Sequence, residues 1–420
     1  QRAPDETIAV AESNGGSETH GNNRFNSVPS PLRANKFLST NLQISVSEEA
    51  RTISGWITDT AIAVAVAQGD GADASPIDIL VLPGNPGILA WYIPLLRSLA
   101  RDVARRLGRT VRAHGISLAG HGTSDDRLRP VAGGEDGAAD CRTVDGQVVH
   151  LERALRDLAR RMRAGTGPPL SDLVLVGHSI GCHILQRLCV SHAGRLGSES
   201  GGGFALFGSR VRHVMYLMPF IRFDPGTLPR SKSLPLVMTG RGDVPPKLLQ
   251  AVIRRASRHV RDLPEDRIKA IIRNIFGGDT FVESDVERAI DVTYKYATSP
   301  DMLDNWGYLG LDEMRRIPEN YDVRGLSVMA KSVVCPLSDG AGVHMLYCGD
   351  GGRHAHDVDQ WAPASAHLPD LIHLVEAGEL PRNVRGEEMP GLRHDFVVRG
   401  DRQLVEVTGW CVRSIAGAMA

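Results

Sequence analysis

From residue 42 onward, apolar positions alternate between strand-like and helix-like spacing. LQISVSE (42–48) alternates apolar and polar residues, and ISGWITDTAIAVAVAQ (53–68) is rich in Ile, Val and Ala, which predicts a strand pair. IDILVLPG (77–84) begins with an apolar run as long as a buried strand. In LAWYIPLLRSLARDVARRLG (89–108), Trp91, Leu95, Leu99, Val103 and Leu107 recur at every fourth position, which predicts a helix. TVRAHGISLAGHG (110–122) reads as the next strand and its loop, and residues 126–147, rich in Gly and Asp, read as a surface loop. The amphipathic stretch HLERALRDLARRMRAG (150–165) predicts a helix feeding the strand of DLVLVGHS (172–179), and VRHVMYLMPF (211–220) predicts another strand. Strands and helices that alternate in this way imply a mostly parallel sheet covered by helices on both faces.

The rhythm changes in the second half. From about 225 to 330 helical periodicity dominates, as expected of an inserted helical cap. VHMLYCGD (343–350) restores a strand, LIHLVEAGE (371–379) reads as the last one, and LVEVTGWCVRSIAGAM (404–419) as the final helix. Four segments follow: a leader over 1–38, the first part of an α/β core over 39–224, the cap over 225–335 and the second part of the core over 336–420. The leader is polar and rich in Gly, Asn and Ser, with too little apolar surface to offset the entropy of ordering, so disorder is expected there.

Bulk properties remove several function classes. The 420 residues carry a net charge of -1, so no global field favours nucleic acid. Six cysteines stand at 141, 182, 189, 335, 348 and 411 without a CxxC pair, the pattern of reduced, intracellular thiols. No apolar run approaches the roughly 18 residues of a spanning helix. His354 and His356 near Asp357 read as part of a polar loop rather than a metal site, and no nucleotide loop appears, so neither metal nor cofactor is expected.

The chemistry concentrates in LVLVGHSIGCHIL (173–185). GxSxG alone is a weak signal, but here Leu173–Val176 supply a buried strand before it and Ile184, Leu185 and Leu188 a helix after it. That is the setting of a nucleophile elbow, with Ser179 at the turn and Gly177 and Gly181 letting strand and helix approach. The helix N-terminus would then lie under a developing oxyanion. The loop PGNPG after strand 77–83 stands where this fold donates the second oxyanion N–H. Pro86 has no N–H, so Asn85 is the candidate, paired with the N–H of Ile180. The Gly-rich loop LAGHGTSD reads as structural at the rim, and its His121 is not the expected base. Chain order in this fold is serine, acid, histidine, which nominates His394 in MPGLRHDFVVRG. For the acid, Asp359 comes first, with Asp350 and, in the strand-Gly-x-x-Asp pattern of LPLVMTGRGDVPP, Asp243 as alternatives.

Together these stretches resemble the lipid droplet-associated hydrolase family of α/β-hydrolases over residues 77 to 415. LPGNPG with WYIPLLRSL, LVGHSIGCHI, NWGYLGLDEMRRI (305–317) and DQWAP with LRHDFVV are similar, in order, to its PGNPG loop and aromatic helix, its GHS-x-G elbow, its cap segment, and its acid loop and closing histidine. The resemblance implies an α/β-hydrolase fold, a triad of Ser179, Asp359 and His394, and a lipid droplet or endoplasmic reticulum surface, or the cytosol, as location.

The expectation is a serine ester hydrolase acting on a lipid or other hydrophobic ester. Its alternative is a lipid-surface or scaffolding protein with a weak or vestigial site. Residues 246–263 bear on the choice. Leu248, Leu249, Val252, Ile253, Ala256 and Val260 share one helical face, and Lys247, Arg254, Arg255, Arg258 and Arg261 crowd the other. Such a helix either lies on an anionic lipid surface or packs its apolar face on the protein.

Overall fold

The computed structural model describes residues 42–53, 56–67, 75–122, 140, 142–164, 172–196, 205–206, 209–222, 246–275, 283–334, 338–349, 364–399 and 402–420. The strands are β1 (Leu42–Ile53), β2 (Trp56–Ala67), β3 (Ile77–Leu82), β4 (Val111–Ile116), β5 (Asp172–His178), β6 (Ala205–Leu206), β7 (Ser209–Leu217), β8 (Val343–Cys348) and β9 (Val384–Met389). They form one sheet in the order β1-β2-β4-β3-β5-β7-β8-β9, with β6 paired to β7. β1 and β2 are antiparallel to each other, and β2 is antiparallel to β4. From β4 to β9 every neighbouring pair is parallel. The central strands β3 and β8 are buried along their whole length, which is why they read as unbroken apolar runs.

Helices cover both faces. On one face lie α1 (Ile93–Leu107) and the last helix, α11 (Arg402–Met419). Leu96, Leu99, Val103, Val407 and Ile415 pack there with Ala61, Ala63 and Ala65 of β2. The alternating alanines of β2 leave room for α1 to approach the sheet closely. The other face carries α2 (Val144–Ala164), α3 (Ile180–Leu196) and α9 (Ala364–Glu376), through Leu151, Leu155, Leu185, Leu188 and Leu371. Between the adjacent strands β7 and β8 the chain makes a helical insertion of α4 (Pro246–Arg261), α5 (Glu265–Ile275), α6 (Glu283–Thr298), α7 (Pro300–Arg316) and α8 (Val323–Val328). A four-residue segment, α10 (Phe396–Arg399), precedes α11. The parallel core, the serine turn between β5 and α3, and the insertion together make an α/β-hydrolase fold.

Three sequence expectations change. LIHLVEAGE is helix rather than strand, because Leu368, Leu371, Leu374 and Val375 recur at three- and four-residue intervals and pack on the core. The last strand is β9, VRGEEM; as an edge strand it buries only Val384, so no alternation marks it. The end of the stretch read as a 126–147 loop is helical, since α2 begins at Val144, whose N–H donates to Asp312 Oδ2 at 2.8 Å. Thr143 Oγ1 caps the same start by accepting the Gly146 N–H at 3.0 Å, a local cap inside the stretch read as loop, and Asp312 of α7 adds a partner from far along the chain.

The core also holds a charge. Asp78 in β3 is fully buried and accepts two 2.7 Å bonds from Arg112 and one 2.8 Å contact from His114 Nε2, both on β4. Removing one member of a buried pair strands the other. Asp78→Ala is expected to cost about 3–5 kcal/mol in denaturant unfolding; a loss under about 1 kcal/mol would mean the cluster is solvated rather than buried.

Candidate active site

β5 lies between β3 and β7 and ends at His178. Ser179 follows with φ 54°, in the left-handed region that a residue with a side chain seldom occupies, and α3 begins at Ile180. Three backbone bonds hold the turn. Ser179 N–H donates to Leu217 O at 3.0 Å, and Ser179 O accepts from Cys182 N at 3.1 Å and Phe220 N at 3.2 Å. The glycines act by what they omit. A Cβ on Gly177 would stand 2.7 Å from Cys182 Cα, and one on Gly181 would stand 2.6 Å from Leu82 O and 2.7 Å from Pro83 O. A Cβ on Gly84 would meet Ser179 Cβ at 2.8 Å, so the loop after β3 lies directly against the serine.

His394 also reaches this place. Its ring centroid is 4.9 Å from that of His178, the residue preceding Ser179. Phe396 meets His178 edge-on at 5.4 Å, and Tyr92 Oη lies 2.6 Å from His178 Nδ1. The same Tyr92 hydroxyl accepts the Gly84 N–H at 2.9 Å. Burial pushes the Tyr92 phenol well above its usual range, so it stays protonated. Tyr92 thus ties the loop after β3 to the elbow.

Asn85, half-buried, follows Gly84 and is joined to Pro86 by a cis peptide bond. Its side-chain amide donates to Trp306 O at 3.3 Å, on α7, the helix that also carries Glu313. Glu313 is 5% exposed, and burial pushes its carboxyl up to about 8, with Asp312 adding in the same direction. The insertion touches the neighbouring loops too. Trp91 Nε1 donates to Thr293 Oγ1 at 2.9 Å, Asn305 Nδ2 donates to Gly120 O at 3.0 Å, and His121 Nδ1 lies 3.2 Å from Tyr296 Oη. Burial pulls His121 down to about 3, so this rim histidine is held neutral.

Of the predicted site residues, the fold brings together Ser179, Ile180, the Asn85 loop and His394. Asp359, Asp350 and Asp243 lie outside the described residues, as do His354, His356 and Asp357. Among the described residues no cluster of three His, Cys, Asp or Glu could hold a metal ion. The residues at 246–263 form α4 and the turn after it; Val252 is 44% exposed while Val260 packs on the core. Sequence reasoning missed His178, Tyr92, Trp306 and Glu313. All four lie inside the quoted motifs, but nothing along the chain marks their contacts. Glu313 looks like any charge on an amphipathic helix.

The family profile described as lipid-droplet associated hydrolase matches residues 75–397, which takes in the elbow, the loop after β3, the insertion and His394. The chain belongs to the lipid-droplet associated hydrolase family. The lipid droplet-associated hydrolase of Mus musculus is 28% identical over 167 residues, 35% of this chain and 48% of that protein. The Homo sapiens protein of the same name is 31% identical over 114 residues, 26% of this chain and 31% of that protein. The matched stretches therefore span about half of the mouse relative and about a third of the human one. Among solved structures, the chain is similar to the peroxisomal α/β-hydrolase Lpx1 of Saccharomyces cerevisiae, with TM-score 0.49, 13% identity and 90% coverage of each chain. It is also similar to a laboratory-evolved potato epoxide hydrolase, with TM-score 0.46, 13% identity, and coverage of 88% of this chain and 99% of that one. In this member of the family no helix among the described residues is long and apolar enough to cross a membrane.

The close approach at Gly181 gives a direct test. Gly181→Ala forces a methyl onto two backbone oxygens that cannot move independently of β3. A loss of about 1–3 kcal/mol is expected in thermal or denaturant unfolding; a variant as stable as wild type would mean that α3 does not press on Leu82 and Pro83.

Proposed function

We propose that the protein is a serine ester hydrolase that cleaves a lipid or other hydrophobic ester through an acyl-enzyme on Ser179. The observation that carries this reading is the elbow: Ser179 at φ 54° on a strand-to-helix turn, with His394 packed against the preceding residue. In the proposed reaction His394 takes the proton of Ser179 Oγ as Oγ attacks the ester carbonyl. The backbone N–H groups of Asn85 and Ile180 receive the oxyanion. His394 then returns the proton to the leaving alcohol, and water releases the acid by the same steps in reverse. Asp359 is the proposed partner that orients His394, with Asp350 and Asp243 as the alternatives. The insertion serves as a cap that keeps water from the site.

For substrate and location, the name of the relatives supports a lipid surface, either a droplet or the endoplasmic reticulum. The insertion also exposes Val252, Leu263, Ile271 and Trp306. Exposed Arg254, Arg255 and Arg258 flank Val252 on α4 and would favour anionic headgroups.

A fluorophosphonate probe tests the chemistry. Wild type is expected to label and Ser179→Ala to remain unlabelled; a folded wild type that takes no probe would favour a scaffolding protein with a vestigial site. Flotation with anionic liposomes tests the surface. Arg254→Glu, Arg255→Glu and Arg258→Glu combined are expected to reduce binding at least tenfold, each charge being worth about 1 kcal/mol. Unchanged flotation would exclude α4 as the contact.

A further inference from the structure

His394 stands in a loop whose backbone is gripped by one side chain of the last helix. Gln403, in the first turn of α11, lays its amide across residues 391–393. Its Oε1 accepts the Arg393 N–H at 3.0 Å, and its Nε2 donates to the Gly391 carbonyl at 3.1 Å. An amide that uses its acceptor and a donor on one short segment pairs with it as a neighbouring strand would. Leu392, between the two bonds, is buried. Gly391 has φ 73°, a left-handed turn that sends the chain from β9 into the clamp. Just past His394, the Phe396 N–H donates to the Arg393 carbonyl at 3.2 Å, and the Phe396 ring is buried against His178. The clamp sets where the chain enters His394, and Phe396 sets where it leaves.

The clamp is attached to a fixed element. Trp410 Nε1 donates to Glu387 Oε2 on β9 at 2.9 Å, which ties α11 to the strand that leads into the loop. Further along, Ser414 Oγ lies 2.8 Å from His213 Nε2 on β7 and 2.7 Å from His344 Nδ1 on β8. Leu404, Val407 and Ile415 bury the apolar side of the helix in the core. Hydrogen bonds to three strands and a buried face leave α11 little freedom. A group held from such an element is held more precisely than one held by its own loop.

We propose that Gln403 is a positioning residue for the base: by fixing the backbone at 391–393 to α11, its amide keeps His394 at the serine turn. The proposal rests on His394 as the base of Ser179, as set out above. Proton transfer needs the imidazole within hydrogen-bond reach of the serine hydroxyl. A group displaced by about 1 Å can cost on the order of 100-fold in rate. Loss of the clamp therefore lowers turnover and leaves KM nearly unchanged.

The test uses the full chain and two variants. Gln403→Met keeps length, bulk and helix propensity but neither bond. Gln403→Glu, ionised at pH 7, still accepts from Arg393 but turns an oxygen towards the Gly391 carbonyl. Two readouts follow the base: kcat and KM with a p-nitrophenyl ester, and the rate at which a fluorophosphonate labels Ser179. Hydrogen exchange over 390–396 and over 77–82 separates the loop from the sheet. Met is expected to lose roughly 10- to 100-fold in kcat and in labelling rate, with KM within about twofold. Its 390–396 segment is expected to exchange roughly tenfold faster, with 77–82 protected as in wild type. Glu is expected to fall between Met and wild type. A Met variant with wild-type kcat and labelling rate would overturn the proposal. So would a loss of activity matched by a loss of protection over 77–82, the mark of a role in stability alone. If Met fails to fold, Glu decides, since wild-type kcat in that variant contradicts the proposal equally. A wild type that neither turns over ester nor takes the phosphonate refutes the hydrolase reading and the positioning role with it, while exchange over 390–396 still tells whether Gln403 holds the loop.

Discussion

The strained backbone at Ser179 is the constraint on which the rest of the site depends. A left-handed serine costs of order 1–3 kcal/mol and persists only where its surroundings leave no alternative. Here β5 must end, α3 must begin at once, and the loop after β3 must pass against the serine side chain. Gly177, Gly181 and Gly84 stand at those three close approaches, and each would meet a heavy atom within 3 Å if it carried a Cβ. Hydrogen bonds to the turn from β7 and from Phe220 hold it from the far side. The strain is therefore borne by a buried parallel sheet.

The cluster around the turn follows from that arrangement. Because the loop after β3 lies on Ser179, the Tyr92 hydroxyl can bond both Gly84 and His178. Because His178 is the last residue of β5, the segment that carries His394 and Phe396 packs on its ring. The helical insertion attaches to the same loops, through Thr293 on Trp91, Asn305 on Gly120 and α7 on Asn85. Polar contacts of this kind fix a position more closely than apolar packing does, since each buried donor or acceptor loses energy when its partner shifts. In this member of the lipid-droplet associated hydrolase family the helical insertion is hydrogen-bonded to the loops beside the serine turn.

Much of the scaffold could be read from the chain because burial leaves a local signature. β3 and β8 are apolar throughout, α1 repeats every fourth residue, and GHSIG carries its own steric logic. Motif and chain order nominate Ser179, Asn85, Ile180 and His394, and these positions lie around one turn. What could not be read lies at edges or between distant segments. β9 buries a single end residue, and α9 is too short a pattern to separate helix from strand. Glu313 is the sharpest example. It is buried on α7, and no periodicity distinguishes it from a solvated charge.

The central claim is that Ser179 fires into an oxyanion site made by the loop after β3 and the first turn of α3. A crystal structure of the phosphonylated protein tests it most directly. The account predicts phosphorus bonded to Ser179 Oγ, with one phosphonyl oxygen within about 3 Å of the N–H groups of both Asn85 and Ile180. An adduct whose oxygen points away from those two groups, or an adduct on another residue, would contradict it.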